Sequence, residues 1–159
     1  MKNSIFYLKS LLKTDGAIIP LILRIGLGSV ILAHGLQKLL GMFGGHGPEW
    51  TVNMWSQWWG IPAFITWLVI LGESLGMVAL ILGFFTRIFA VVTIIIMTGA
   101  IILVHHSQGF FMNWYSEPRA EGIEYHILVY TLALALLLLG GGKYSLDNII
   151  FKKLSKKNE

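Results

Sequence analysis

The stretch from Pro62 to Phe84, PAFITWLVILGESLGMVALILGF, suits hydrocarbon throughout except at one place, Glu73. That carboxylate lies eleven residues from either end. At a rise of about 1.5 Å per residue it sits roughly 16 Å from each surface, near the midplane of a bilayer core. A charge at the centre of a membrane helix costs about 3 kcal/mol on an insertion scale, so it faces a partner or a wet cavity rather than lipid. Glu73 is therefore expected to point inward. Gly72 and Gly76 flank it with the small-xxx-small spacing that lets another helix approach closely.

The rest of the chain agrees with a membrane setting. Its 159 residues are 55% hydrophobic and 13% charged, with a mean hydropathy of +0.71, too apolar for a soluble domain of this length. Four long apolar runs leave no room for a separate soluble core, so residues 1–159 are expected to form one all-α domain, an integral membrane four-helix bundle. The spans are expected at about 17–40, 62–84, 86–105 and 123–139. The net charge of +4 does not point to nucleic acid, because the basic residues gather at the termini without a folded surface to present them. There is no cysteine, which excludes thiolate nucleophiles, disulfide exchange and cysteine-ligated iron–sulfur clusters. Redox chemistry would need a bound cofactor.

Residues 1–15 place Ile5, Leu8 and Leu12 apart from Lys2, Lys9 and Lys13, an amphipathic pattern for a membrane surface. The run after them is too long for a signal-peptide core and lacks an A-x-A cleavage site, so it is expected to remain as the first span. On that span Arg24, Gly28, Ile31, Gly35 and Lys38 share one side, the expected bundle-facing stripe. A glycine-rich turn and Pro48 then lead into a short helix with Trp50, Trp55, Trp58 and Trp59, which suggests an interfacial belt. The second and third spans are joined so tightly at Gly83 that they are expected to pack as an antiparallel hairpin. Arg87, Thr98 and His105 share a face of the third. A polar loop at about 107–122 precedes the fourth, whose expected inner stripe is Glu124, Leu128, Thr131 and Ala135. Gly140 to Gly142 end it, and the tail places Leu146, Ile149, Ile150 and Leu154 on an oily side.

The basic residues Lys2, Lys9, Lys13, Arg87, Lys143, Lys152, Lys153, Lys156 and Lys157 all fall on one side if both termini are cytoplasmic, which satisfies the positive-inside rule. All five histidines and all six tryptophans then lie in the outer half. Any chemistry is expected there.

Two partners in the first span are in range of Glu73. Counting from the outer helix ends puts His34 roughly 7 Å above it and Arg24 roughly 7 Å below. Glu73 is either half of an ion pair holding helices together or a proton-handling carboxylate. His34, Gln37 and Lys38 offer donors for an anion or a quinone carbonyl, or Lys38 snorkels to the headgroups and His34 bonds locally. No histidine pair has the i, i+4 spacing of a helical metal clamp. A metal site would have to be assembled across helices from His34, His105, His126 and Glu124, and no metal is expected. Arg87 and Asp147 both lie at the cytoplasmic surface and are expected to pair, docking the tail.

These residues resemble the DoxX family of small four-helix bacterial membrane proteins. The resemblance rests on Arg24 leading a helix that ends in His34, Gly35 and Lys38, on Gly60-Ile61-Pro62, on the intramembrane Glu73, on Gly83 to Arg87 as G-x-x-T-R, and on Ser145-Leu146-Asp147. It covers about residues 20–150. It implies the bacterial cytoplasmic membrane, kinship with the small subunit of thiosulfate:quinone oxidoreductase, and quinone or sulfur redox at the membrane. Other members accompany superoxide dismutase and a sulfurtransferase or are linked to quinone and catechol resistance, and many have no assigned activity. The expectation is an accessory protein of a membrane redox system, with redox partner subunits, a quinone as the only expected cofactor, and none bound covalently. Glu73 would manage charge or protons beneath an outer-facing site built from His34, Gln37, Lys38, His105, Glu124 and His126. The rival expectation is a non-catalytic scaffold or assembly factor, as in distantly related animal receptor chaperones. A homodimer is permitted by the remaining small residues but not required.

Overall fold

The amphipathic N-terminal stretch forms helix α1 (Lys2–Leu12) in a computed structural model that describes residues 2–14, 16–116 and 118–156. The chain continues through α2 (Ile19–Leu40), α3 (Gly47–Trp59), α4 (Ala63–Glu73), α5 (Leu75–Leu82), α6 (Thr86–Ala100), α7 (Glu124–Leu139) and α8 (Leu146–Lys156). Among the described residues there is no strand. Lys157 and the side chains of Lys2 and Ile5, which entered the reading of charge and amphipathicity, lie outside what is described. Among the described residues three stretches are long and apolar enough to cross a membrane: Ile19–Leu40, Ala63–Leu82 and Thr86–Gln108. The fourth apolar run forms α7, whose 16 residues extend about 24 Å by the helical rise.

Helix α2 buries the stripe expected of it, with Arg24, Leu27, Gly28, Ile31 and Gly35 turned inward. The two glycines explain how closely it packs. A Cβ at Gly28 would overlap the Ile81 side chain, and one at Gly35 would overlap the backbone of Glu73 and Ser74. With no hydrophobic drive between helices in lipid, such close approach is what holds spans together. Leu27, Ile31, Met77, Leu80, Ala90, Met97, Val129, Ala133 and Leu136 join α2, α5, α6 and α7 in one core cluster.

The expected unbroken span at 62–84 is divided at Ser74, where φ is −104° and ψ −83°. The serine hydroxyl donates to the Ile70 carbonyl at 2.6 Å, competing with the backbone ladder. Gly72 and Gly76 on either side supply the Gly/Ser context in which helices kink. The helix resumes as α5, with the Met77 and Val78 amides both donating to the Ser74 carbonyl at 3.1 Å. Gly72 and Gly76 receive α6 as expected, since Cβ atoms there would meet Val92 and Ile96, and Phe89.

Helix α6 ends in a wider turn. Residues Ile101–His105 form a π-helical turn and His106–Gln108 a 3-10 turn. The extra residue per π turn rotates His105 away from its α-helical projection, so the face expected for Arg87, Thr98 and His105 is not continuous. Thr98 instead shares a 2.7 Å hydrogen bond with the Tyr130 hydroxyl. The inner face of α7 is also corrected: it buries His126, Val129, Ala133 and Leu136, whereas Leu128 is 62% exposed. Mostly leucine and alanine beyond its first turns, α7 gives periodicity little to act on, and the Glu124 carboxylate is engaged in a loop.

At one end α1 packs against α8 and three charged side chains tie off helix ends. Arg24, fully buried, donates to the carbonyls of Ile81 at 2.7 Å and of Lys143 and Tyr144 at 3.2 Å. Arg87 donates to those of Leu137 and Leu138 in α7 and of Leu11 and Lys13. The carbonyls of Ile81, Leu137, Leu138 and Leu11 are among those that helix C-termini leave unpaired, while Lys143, Tyr144 and Lys13 lie in the connections beside them. Asp147, also buried, accepts from the Phe85 and Thr86 amides at 2.7 and 2.9 Å, the first amides of α6, where a carboxylate is favoured. Arg87 and Asp147 therefore do not form the salt bridge expected of them, because each is engaged with backbone. Gly83, at φ +68°, leaves no room for a Cβ against Ser145 and the Arg24 guanidinium.

Candidate functional site

A cavity of about 650 Å³ lies toward the other end, between α2, α4, α6 and α7. Its floor is ionic. Lys38 Nζ meets Glu73 Oε2 at 2.6 Å, with the lysine side chain 20% exposed and the carboxylate 6%. The ammonium also lies 3.4 Å from the His34 carbonyl. Glu73 thus points inward to a basic partner as expected, but that partner is Lys38 rather than Arg24 or His34.

The pairing with Lys38 has a geometric cause. Gly35 packs directly on the Glu73–Ser74 backbone, which sets it level with the carboxylate. From that level α2 runs only five residues to its end at Leu40, while α4 reaches ten residues back to Ala63. The outer ends are not level, so heights counted from them place α2 too high. Lys38 stands less than one turn beyond Gly35 on the same face and reaches down.

Around this floor the walls are aromatic and aliphatic. His34 from α2 and Tyr125 from α7 have ring centres 6.2 Å apart, Tyr125 and His126 5.5 Å, and His126 and His105 4.3 Å. His105 is held by its Nδ1, 2.7 Å from the Glu121 carbonyl oxygen, which fixes the ring on its π turn. Among the described residues the buried Tyr125 hydroxyl and His126 Nδ1 have no hydrogen-bond partner, although both residues line the cavity. An unsatisfied buried polar group costs about 1–3 kcal/mol, so such groups call for a visitor with a donor or acceptor. Trp55 and Trp59, one turn apart on α3, complete the wall with Ile65, Val69 and Ile96.

The segment between α6 and α7 closes over this end. The amides of Gly122, Ile123 and Glu124 donate to the carbonyls of Phe111, Gly109 and Phe110. Glu124 accepts from the Met112 amide at 3.0 Å, and Glu121 accepts from the Asn113 amide. Met112 and Glu121 also border the cavity.

Of the residues expected to bind a ligand, the structure brings together His34, Lys38, His105 and His126 with Glu73. Gln37 and Glu124 are not among them: Gln37 donates to the Phe43 carbonyl at 3.2 Å, and Glu124 holds the loop. Without Glu124 the cross-helix metal set is incomplete, and among the described residues no cluster of three or more His, Asp or Glu side chains could hold a metal ion. Tyr125, Trp55, Trp59 and Glu121 also line the cavity and are not among the expected ligand-binding residues. The signal available for Tyr125 was its place as an aromatic beside His126 at the start of a leucine-rich helix.

The family model for DoxX matches residues 19–106. The chain belongs to the DoxX family. It is also 30% identical over 138 residues to a Bacillus subtilis (strain 168) protein named "Putative oxidoreductase CatD", an alignment covering 87% of this chain and 90% of that one. No solved structure matches it. The DoxX match and the apolar helices together make this a membrane protein. The matched segment holds the Lys38–Glu73 floor, His34 and His105, whereas the α7 wall with Tyr125 and His126 follows it.

Proposed function

We propose that this DoxX protein is a component of a membrane redox system that binds a quinone in the cavity above the Lys38–Glu73 pair. The observation that carries the reading is the combination of an aliphatic and aromatic chamber with an ion pair at its floor and the unpartnered Tyr125 hydroxyl in its wall. A quinone head is a planar apolar ring with a carbonyl acceptor at each end, and its reduced form adds donors. Lys38 suits the carbonyl or a developing oxyanion, Glu73 a proton in transit, and Tyr125 the opposite oxygen. The Bacillus subtilis relative is named an oxidoreductase, which fits the redox part of this reading. The aliphatic lining makes a quinone a better occupant than a small hydrated anion, which would lose its water there.

Binding has an intrinsic reporter. Trp55 and Trp59 line the chamber, so a bound quinone quenches their fluorescence by contact. A benzoquinone titrated into the purified protein is expected to quench saturably, with affinity falling about tenfold in Tyr125→Phe, as for a lost hydrogen bond of about 1.5 kcal/mol. Trp55→Phe/Trp59→Phe loses the saturable component. Quenching that rises linearly without saturation overturns the reading.

The same proposal places α2, α4–α5, α6 and α7 as four spans in the bacterial inner membrane, with α1 and α8 on the cytoplasmic face. Its support is the gathering of Lys9, Lys13, Arg87, Lys143, Lys152, Lys153 and Lys156 at the α1–α8 end. The exposed Phe111, Trp114 and Tyr115 at the opposite end suit the other interface. Since the chain has no cysteine, single replacements report side directly. Trp114→Cys should react with an impermeant maleimide in intact cells and Lys152→Cys only after lysis. The reverse pattern would invert the orientation.

A further inference from the structure

The two helices on one side of the chamber diverge as they rise. Around Gly72 and Gly76 they are in close contact, with Val92, Ile96 and Phe89 filling the space the glycines leave. Farther out, Gly99 borders the cavity, yet nothing lies within 4 Å of where its Cβ would stand. The rim of this gap is Ile65 on α4 with Ile95 and Leu103 on the α6 side, all cavity-lining and 37%, 64% and 43% exposed. Every rim residue is aliphatic. The loop side, by contrast, is stitched by paired amides and carbonyls and by the Glu121 and Glu124 carboxylates. A polar ligand crossing the aliphatic rim would shed its water without compensation. For a hydrocarbon chain the passage is neutral, because lipid tails and isoleucine side chains are equivalent solvents.

We infer that the chamber opens sideways, between α4 and α6, into the hydrocarbon, and that its ligand is a membrane-dissolved quinone whose prenyl chain lies in this slot. This rests on the quinone reading above and names the class of quinone. The head descends to the Lys38–Glu73 floor while the chain passes Gly99 and leaves between Ile65 and Ile95. Since the chain gains nothing by leaving lipid for the slot, it contributes access rather than affinity. The slot matters because a bound chain must exit somewhere. Plugging the slot therefore penalises a chain-bearing quinone and spares a head group alone.

The test uses the full chain in phospholipid nanodiscs, titrated with a diprenyl benzoquinone and with the same head group lacking a chain. Ile95→Phe narrows the rim, and Gly99→Leu fills the passage with a residue of higher helix propensity. Either variant is expected to weaken the prenylated quinone by about tenfold, as overpacking does, and to change the chainless one by less than about twofold. An unchanged melting temperature verifies the fold, and Ile95→Phe, on an exposed rim, stands alone should Gly99→Leu unfold. Equal losses for both ligands, or none for either, overturn the lateral slot and leave the quinone site standing. Wild-type protein that binds the head group but not its prenylated form does the same. Failure of wild type to bind either ligand overturns both readings.

Discussion

Lys38→Met is expected to lower stability in detergent by about 3–5 kcal/mol, because it leaves a buried carboxylate without its partner. Glu73 is 6% exposed, and Lys38 is the basic group that meets it. Removing both charges is a different matter. Lys38→Met/Glu73→Leu replaces a desolvated pair with apolar side chains of similar size, which is often neutral or stabilising. The double variant should unfold within about 1 kcal/mol of wild type, and the difference between it and the sum of the single variants gives the coupling. Thermal or denaturant unfolding followed by circular dichroism measures all four corners.

The second large effect belongs to Arg24, at the opposite end. Arg24→Met leaves the Ile81, Lys143 and Tyr144 carbonyls unpaired and Asp147 without the guanidinium beside it. At about 1–3 kcal/mol for each stranded group, the loss approaches the whole stability of an ordinary domain. No folded protein is expected on size-exclusion chromatography. Arg24→Lys should rescue little, since an ammonium on one stem cannot reproduce a planar fork reaching carbonyls on two segments. Asp147→Asn, which keeps an oxygen for only one of the two α6 amides, should lie between wild type and Arg24→Met. A fully folded Arg24→Met protein would contradict the role given to these contacts.

Neither end was completely legible in the sequence, and the gaps have physical causes. Glu73 was recognisable because an acid in hydrocarbon has one affordable orientation, and the α2 stripe because Arg24, Gly28, Ile31 and Gly35 repeat at helical spacing. Which cation meets Glu73 depended on the relative heights of two helices. That is fixed by Gly35 seating on Ser74, a contact between distant segments that no local pattern encodes. The break at Ser74 was concealed by a composition equally suited to a continuous span. On α7 the polar residues do not mark one face, with Glu124 and Thr131 on one side and His126 on the other, so the buried stripe is not legible; His126 is expected at the site, whereas Tyr125 is not. Arg87 and Asp147 were placed correctly at one end, yet paired with each other, because charge complementarity is visible in a sequence and unpaired helix-end carbonyls are not.

The residues at Arg24, Gly83 to Arg87 and Ser145 to Asp147 therefore hold helix ends together. The residues offered to a ligand are a separate set, grouped around Lys38 and Glu73 at the other end. A protein can keep the first set and lose the second without losing its fold. The folded Lys38→Met/Glu73→Leu variant separates the two roles, and equilibrium titration of it with a prenylated quinone, beside wild type, tests the account most directly. Wild type should show saturable tryptophan quenching and the variant none at the same concentrations. Equal affinity in the two proteins would mean that the ion pair is only glue between helices and that the chamber above it is no quinone site.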